Sequence, residues 1–157
     1  MSIENVREYF DSLGMKDRVL EFSVSSATVQ LAAEALGCAP ERIAKSMAFI
    51  TSEGPILVIA AGDAKVDNQK FKAMFHTKAK MIAPDMLPEL IGHPMGGVCP
   101  FAIKENVKVW LDASLKRFDI VYPACGSANS AIALSLPELE RYSSSEGWCD
   151  VCKLPQD

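Results

Sequence analysis

The sequence is poor in the residues and motifs that carry most hydrolytic chemistry. Only two histidines, His76 and His93, occur in 157 residues, and neither a GxSxG elbow nor an HExxH helix is present. A serine triad of the usual kind and a zincin-type metal site are thereby excluded, as is a phosphate-binding P-loop, since no GxxxxGK[ST] occurs. Positive charge is not in excess either: 16 Lys and Arg stand against 20 Asp and Glu, a formal net charge of −4. A protein that holds nucleic acid by bulk electrostatics needs the opposite balance, so any such contact must be local. Long apolar runs are missing too. The stretch Ile56 to Ala61 falls far short of the roughly 20 residues a membrane span requires, and the charged start Ser2-Ile3-Glu4-Asn5-Val6-Arg7-Glu8 is not a signal peptide. No membrane contact and a cytoplasmic location are expected. Gly/Ser repeats, proline runs and like-charge blocks are absent, which leaves no candidate linker.

What the chain has is core-forming material, 49% hydrophobic and 23% charged, enough for one compact domain over residues 1–157. Its five cysteines are an odd number, and Cys38, Cys99 and Cys125 are scattered as reduced thiols would be. Cys149 and Cys152 form a CxxC pair whose alternatives are half a zinc site, a redox pair, or no special role. Lys65, Lys70, Lys72, Lys78 and Lys80 read either as a local basic patch or as a solvated helix face.

Periodicity predicts a helix over residues 2–13 with Ile3, Val6, Tyr9, Phe10 and Leu13 on one side, a short strand from Arg18 to Phe22, and a second helix through Leu36 capped by Ser25, Ser26 or Thr28. Pro40 opens a helical turn that delivers Lys45, followed by a hairpin of Met47–Thr51 and Ile56–Ala61, the second strand apolar on both faces. Asp67 caps a helix bearing Phe71, Met74 and Phe75. Beyond it the pattern predicts a strand at Lys80–Ile82, a helix from Pro84 to Ile91, strands at Val98–Ile103, Val107–Asp112, Phe118–Tyr122 and Ile132–Leu136, and a closing helix from Pro137 to Tyr142. Hairpins interspersed with helices give an α+β class, a mixed sheet or small barrel with helices packed outside.

Three features are hard to explain by packing alone. Lys45, between a helical turn and an apolar strand, either snorkels to solvent or is itself a cation held at a cleft edge to bind a phosphate or carbonyl oxygen. The segment Gly92-His93-Pro94-Met95-Gly96-Gly97-Val98-Cys99-Pro100 is either an ordinary turn or a loop whose glycines bring backbone N–H groups against a ligand while its prolines fix their aim. Ala124-Cys125-Gly126-Ser127-Ala128-Asn129-Ser130 is a small-residue turn that serves equally as a hairpin connection or as a pocket wall. His93 and Cys99 share the Gly/Pro loop, but a thiol needs a neighbouring base to act as a nucleophile, so no side-chain nucleophile is assigned.

These residues, together with Ala32-Ala33-Glu34-Ala35-Leu36-Gly37, Ile43-Ala44-Lys45-Ser46, Gly62-Asp63-Ala64-Lys65-Val66-Asp67, Val109-Trp110-Leu111-Asp112 and Ala124-Cys125-Gly126, resemble the YbaK/EbsC and prolyl-tRNA-synthetase-associated editing domains over roughly Thr28 to Leu139. The resemblance implies a barrel-like mixed sheet and a free-standing deacylase that hydrolyses the ester between a misattached amino acid and the 3′-terminal adenosine of tRNA, with no metal and no cofactor. It assigns Lys45 to the acylated adenosine end and Gly96, Gly97 and Val98 to a backbone cradle for the substrate carbonyl, with Asp63, His93, Cys99, Pro100 and Gly126 around the substrate. Its partners are the tRNA acceptor end and, in some relatives, a synthetase or elongation factor, and the chain is expected as a monomer or weak dimer.

Relatives that act on cysteinyl-tRNA carry Ser and Asp where Ala124 and Ala131 stand here, and the histidine that synthetase-borne domains carry past the last turn is missing. The resemblance therefore points to alanine, serine or threonine, with Ser46, Ser127, Asn129 and Ser130 as selectors. A noncatalytic tRNA- or synthetase-binding module of the same fold is the alternative.

Overall fold

The computed structural model describes residues 2–155. Helix α1 (Ser2–Ser12) buries Val6 and Phe10, two members of the predicted stripe. Strand β1 (Val19–Glu21) follows, then α2 (Val29–Leu36). Of the three possible caps it is Thr28 that acts, its hydroxyl accepting from Leu31 N–H, while Gly37 ends the helix in the left-handed region at φ 69°.

A 3-10 turn at Pro40–Arg42 leads into β2 (Ile43–Thr51), which pairs with β3 (Gly54–Ala61) as the expected hairpin. Lys45 is thus the third residue of a strand, opposite Ala60, rather than the end of a helical turn. Every residue of β3 from Pro55 on is buried, as a central strand covered on both faces must be. Then come β4 (Lys65–Val66), α3 (Asn68–Phe75) capped by the Asp67 carboxylate, α4 (Leu87–Leu90), β5 (Lys108–Asp112), β6 (Ile120–Pro123), β7 (Ser130–Ile132), β8 (Leu134–Ser135), α5 (Leu136–Tyr142), β9 (Gly147–Cys149) and β10 (Cys152–Lys153).

Six strands form one mixed sheet in the order β8-β6-β2-β3-β5-β9, curled into half a barrel, with β1–β7 and β4–β10 as separate antiparallel pairs. This is the predicted α+β class. β2 runs parallel to β6, and β3 to β5, so the ends of β2 and β6 lie side by side at Ala44 and Pro123. That adjacency brings the start of β2 next to the 124–131 turn. Among the described residues no helix is long and apolar enough to cross a membrane.

Four expected elements differ. Residues 98–103 are not a strand: Pro100 has no N–H to give a ladder, Ala102 turns the chain at φ 54°, and the segment wraps a buried histidine instead. The Lys80–Ile82 strand shrinks to an isolated bridge between Phe49 and Met81. The helix predicted from Pro84 to Ile91 divides into a 3-10 turn at Pro84–Met86 and the single turn of α4, because Pro88 suits only a first turn. Ile132–Leu136 breaks at Ala133 into the end of β7 and the short β8, since Ser135 is taken as the cap of α5 in a reciprocal box with Glu138. The sequence reading omitted β4, β9 and β10.

Candidate active site

Between the start of β2, the chain entering α2, residues 95–98 and the 124–131 turn lies a cavity of about 270 Å³. Its walls are largely apolar, with Val29, Ala32, Ile43, Ala48, Ile82 and Leu87 among them. Of the residues proposed from sequence, Lys45, Ser46, Gly96, Val98 and Ser130 line it, and so do Ala124 and Ala131.

Lys45 is held by backbone carbonyls. Its Nζ donates to Ala64 O in a short contact and to Gly62 O at 3.4 Å. Burial pulls its pKa below the ordinary lysine value, the neighbouring Cys152 thiol and Asp63 carboxyl oppose that, and Lys65 adds to it. The turn carrying those carbonyls is itself pinned. A Cβ on Gly62 would stand 2.1 Å from Pro40 O, so only glycine lets the turn close on that backbone. Ala61 N–H donates to Ser114 Oγ at 3.0 Å, and Arg117 grips Asp63 with two bonds of 2.6 and 3.1 Å. That ion pair holds the Asp63 carboxyl below its usual range. Asp63 therefore faces Arg117 and is not part of the cavity lining; it steadies the turn on which the Lys45 ammonium rests.

The Gly/Pro loop contributes Met95, Gly96 and Val98 to the lining. Gly97 N–H is used within the loop, donating to Pro94 O at 3.0 Å. The amides of Gly96 and Val98, both at the cavity, have no acceptor among the described residues. Gly96 sits at φ 90°. Gly97 is fixed by proximity: a Cβ there would meet Gly126 C at 2.5 Å and Ser127 N at 2.6 Å, so this loop rests directly on the backbone of the next. Gly126 in turn rests on Ser2, whose carbonyl oxygen would stand 2.8 Å from a Cβ at 126 and whose hydroxyl donates to Gly126 O at 2.7 Å.

Other proposed residues lie outside the cavity lining. His93 is fully buried, its Nε2–H donating to Phe101 O at 2.6 Å, and Nδ1 has no partner. Burial lowers its pKa, so the ring is neutral at pH 7. Cys99 Sγ lies 3.5 Å from that Nε2, and complete burial pushes the thiol up to about 12, too high for a nucleophile at neutral pH. Pro100 is buried beside them. Ser127 donates to Asn129 or Ser130, and Asn129 Nδ2 donates to Phe22 O at 2.9 Å; both shape the turn from behind. Cys149 and Cys152 are buried around Asp112, with both thiols pushed up to about 12 by burial first and by that carboxylate second.

The neutral His93 has a thermodynamic consequence. An unfolded histidine binds a proton below its ordinary value of 6.5, the buried one only at lower pH, so stability is complete above 6.5 and falls as pH drops below it. Thermal melts between pH 7.5 and 5.5 are expected to show that decline, and His93→Gln, which keeps a donor for Phe101 O, to flatten it. A melting temperature equally pH-dependent in the variant would assign the slope elsewhere.

The sequence reading missed Ser26, Thr28, Met81, Met95 and Tyr122 in the lining. Ser26 could have been found only by noticing that one helix needs one cap, and that Thr28 leaves the preceding serines without that task.

Known proteins resemble this chain in both sequence and shape. The protein Uncharacterized YwhH of Bacillus subtilis (strain 168) is 50% identical over 155 residues, 98% of each chain. The proline–tRNA ligase of Thermosipho melanesiensis is 32% identical over 110 residues, 69% of this chain but 19% of the ligase, so the likeness covers about a fifth of that enzyme. A crystal structure described as a candidate trans-editing enzyme for prolyl tRNA synthetase superimposes with a TM-score of 0.86 over 97% of both chains at 24% identity, the same fold. A hypothetical protein of solved structure gives a TM-score of 0.83 at 26% identity, covering 95% of this chain and 99% of its own. The profile of the aminoacyl-tRNA editing domain matches residues 24–142, the span that holds Lys45, the Gly/Pro loop and the 124–131 turn, and the chain belongs to that family.

Proposed function

We propose that this cavity hydrolyses the ester linking a misattached small amino acid, such as alanine, serine or threonine, to the 3′-terminal adenosine of tRNA, and does so as a free-standing single domain in the cytoplasm. The observation that carries this reading is that one small, largely apolar cavity is lined both by Lys45, whose ammonium is anchored on the Gly62 and Ala64 carbonyls, and by Gly96 and Val98, whose amides have no acceptor among the described residues. Such a site needs no nucleophilic side chain. The aminoacyl group enters the cavity, water adds to the ester carbonyl, and the oxyanion of the tetrahedral intermediate takes hydrogen bonds from the Gly96 and Val98 amides. The intermediate collapses with cleavage of the bond to the ribose oxygen, which leaves with a proton. Free amino acid and intact tRNA result. Lys45 meets the adenosine end, and a ribose hydroxyl next to the ester helps to orient the water.

Alanine at 44, 48, 124 and 131 keeps the acyl end small and favours short side chains. Editing by hydrolysis answers a physical limit, since a binding pocket separates substrates that differ by one methylene by only about 1–3 kcal/mol. The net charge of −4 implies weak unaided grip on tRNA, which leaves room for a synthetase or elongation factor to present the substrate to a monomer or weak dimer.

Purified protein is expected to deacylate at least one member of a panel of tRNAs mischarged with alanine, serine, threonine or cysteine, with cysteine the poorest. Survival of the whole panel at micromolar protein would overturn the reading, and tRNA binding without turnover would put the noncatalytic module in its place.

A further inference from the structure

Four Ser or Thr side chains line the cavity, Ser26, Thr28, Ser46 and Ser130, and two of them are already engaged. Thr28 Oγ1 caps α2 by accepting from Leu31 N–H. Ser130 Oγ receives Ser127 Oγ at 2.8 Å and reaches Ser127 O at 3.4 Å. Ser26 Oγ and Ser46 Oγ are buried and have no partner. Ser26 is only 7% exposed, and its main chain is fixed by a 2.6 Å bond from its N–H to Ala128 O. Ser46 is fixed by the β2–β3 ladder, opposite Ile59. Neither residue is free to swing its hydroxyl out to solvent with the backbone.

A buried hydroxyl without a partner is unfavourable, and native structures leave few of them without a reason. Two such groups on one cavity of otherwise mostly apolar wall mark the place where a polar ligand atom completes the bonding. Because successive strand side chains leave on opposite sides, Ser46 shares a face with Ala44 and Ala48, the wall of the acyl end, whereas the Lys45 ammonium runs to the 62–64 turn. Each serine hydroxyl can donate and can accept, so one ligand hydroxyl, with a donor and acceptors of its own, closes both bonds at once.

We infer that Ser26 and Ser46 bind the side-chain hydroxyl of the substrate amino acid, so that the protein prefers seryl over alanyl esters. This assignment rests on the deacylase reading, which supplies the amino acid in the cavity. Serine closes both open bonds, whereas alanine leaves both hydroxyls sealed under an apolar methyl. A site built to bond a hydroxyl rejects the analogue that lacks it more strongly than a site separates two alkyl groups.

The test uses one tRNA charged with serine or alanine, and in parallel the non-hydrolysable amides 3′-serylamino- and 3′-alanylamino-3′-deoxyadenosine. The wild type is expected to favour the seryl form by about 10–100-fold in kcat/KM and in affinity, and Ser26→Ala/Ser46→Ala to bring both ratios near one. The melting temperature of that double variant should not fall, since no internal hydrogen bond is removed. Equal affinity of the two amides in the wild type, or a double variant that weakens both esters alike, would overturn the assignment. Discrimination between the amides with no hydrolysis of either ester would instead overturn the deacylase reading and leave the hydroxyl contact standing.

Discussion

Gly97→Ala is expected to lower kcat/KM for deacylation by about 10²–10³-fold while the protein stays folded, destabilised by about 1–3 kcal/mol. The added methyl would stand 2.5–2.8 Å from Gly126 C, Ser127 N and Gly126 O, all of them backbone atoms that no rotamer change can clear. The loop must therefore lift off its neighbour. Gly96 and Val98 flank the lifted residue, and neither amide has an acceptor among the described residues, so the shift re-aims both donors together. Loss of donor alignment acts on the transition state, where charge on the oxygen is largest, so kcat should fall more than KM rises. Stopped-flow or quench measurements on a deacylated substrate, paired with a thermal melt, separate this from unfolding. Unchanged kcat in a folded Gly97→Ala protein would remove the backbone cradle from the mechanism.

Lys45→Ala is expected to reduce deacylation to background with little change in melting temperature. The ammonium is half-buried and bonded to Gly62 O and Ala64 O, yet the turn that bears those carbonyls is held independently by Ser114, by the Asp63–Arg117 pair and by the approach of Gly62 to Pro40. Removing the side chain thus deletes a cation without releasing its platform. Lys45→Arg should recover only part of the activity, because a guanidinium cannot seat its fork on two carbonyls arranged for a compact ammonium. If Lys45→Ala binds mischarged tRNA normally and hydrolyses it at the wild-type rate, the cation has no part in the reaction.

The elements legible in the sequence were those fixed by local chemistry. The stripe of α1, the Asp67 cap and the all-apolar β3 each carry their cause within a few residues, as does Thr28, one of the three caps the sequence offers α2. What was not legible depends on distant partners. β9 and β10 are two or three residues long and exist because β5 and β4 offer them an edge, a fact with no local trace. Residues 98–103 read as strand by their apolar content, but their structure answers to His93, whose ring is satisfied by Phe101 O. In the site, Lys45 and the glycine loop were legible because a cation and paired glycines are unusual in apolar surroundings. Ser26 was not, because a serine before a helix has a simpler use, and only burial shows that it goes unused there. The role of Asp63 in the fold was not legible either, because its partner, Arg117, is 54 residues away in sequence.

The contact of Gly97 on Gly126, and of Gly126 on Ser2, makes the floor under the cavity three backbones deep with no side chain between them. Side chains absorb small displacements by changing rotamer; stacked main chains do not. Helix α1 therefore works as a strut beneath the loop, and the aim of the Gly96 and Val98 amides inherits whatever rigidity that helix has, although α1 contributes no residue to the cavity lining.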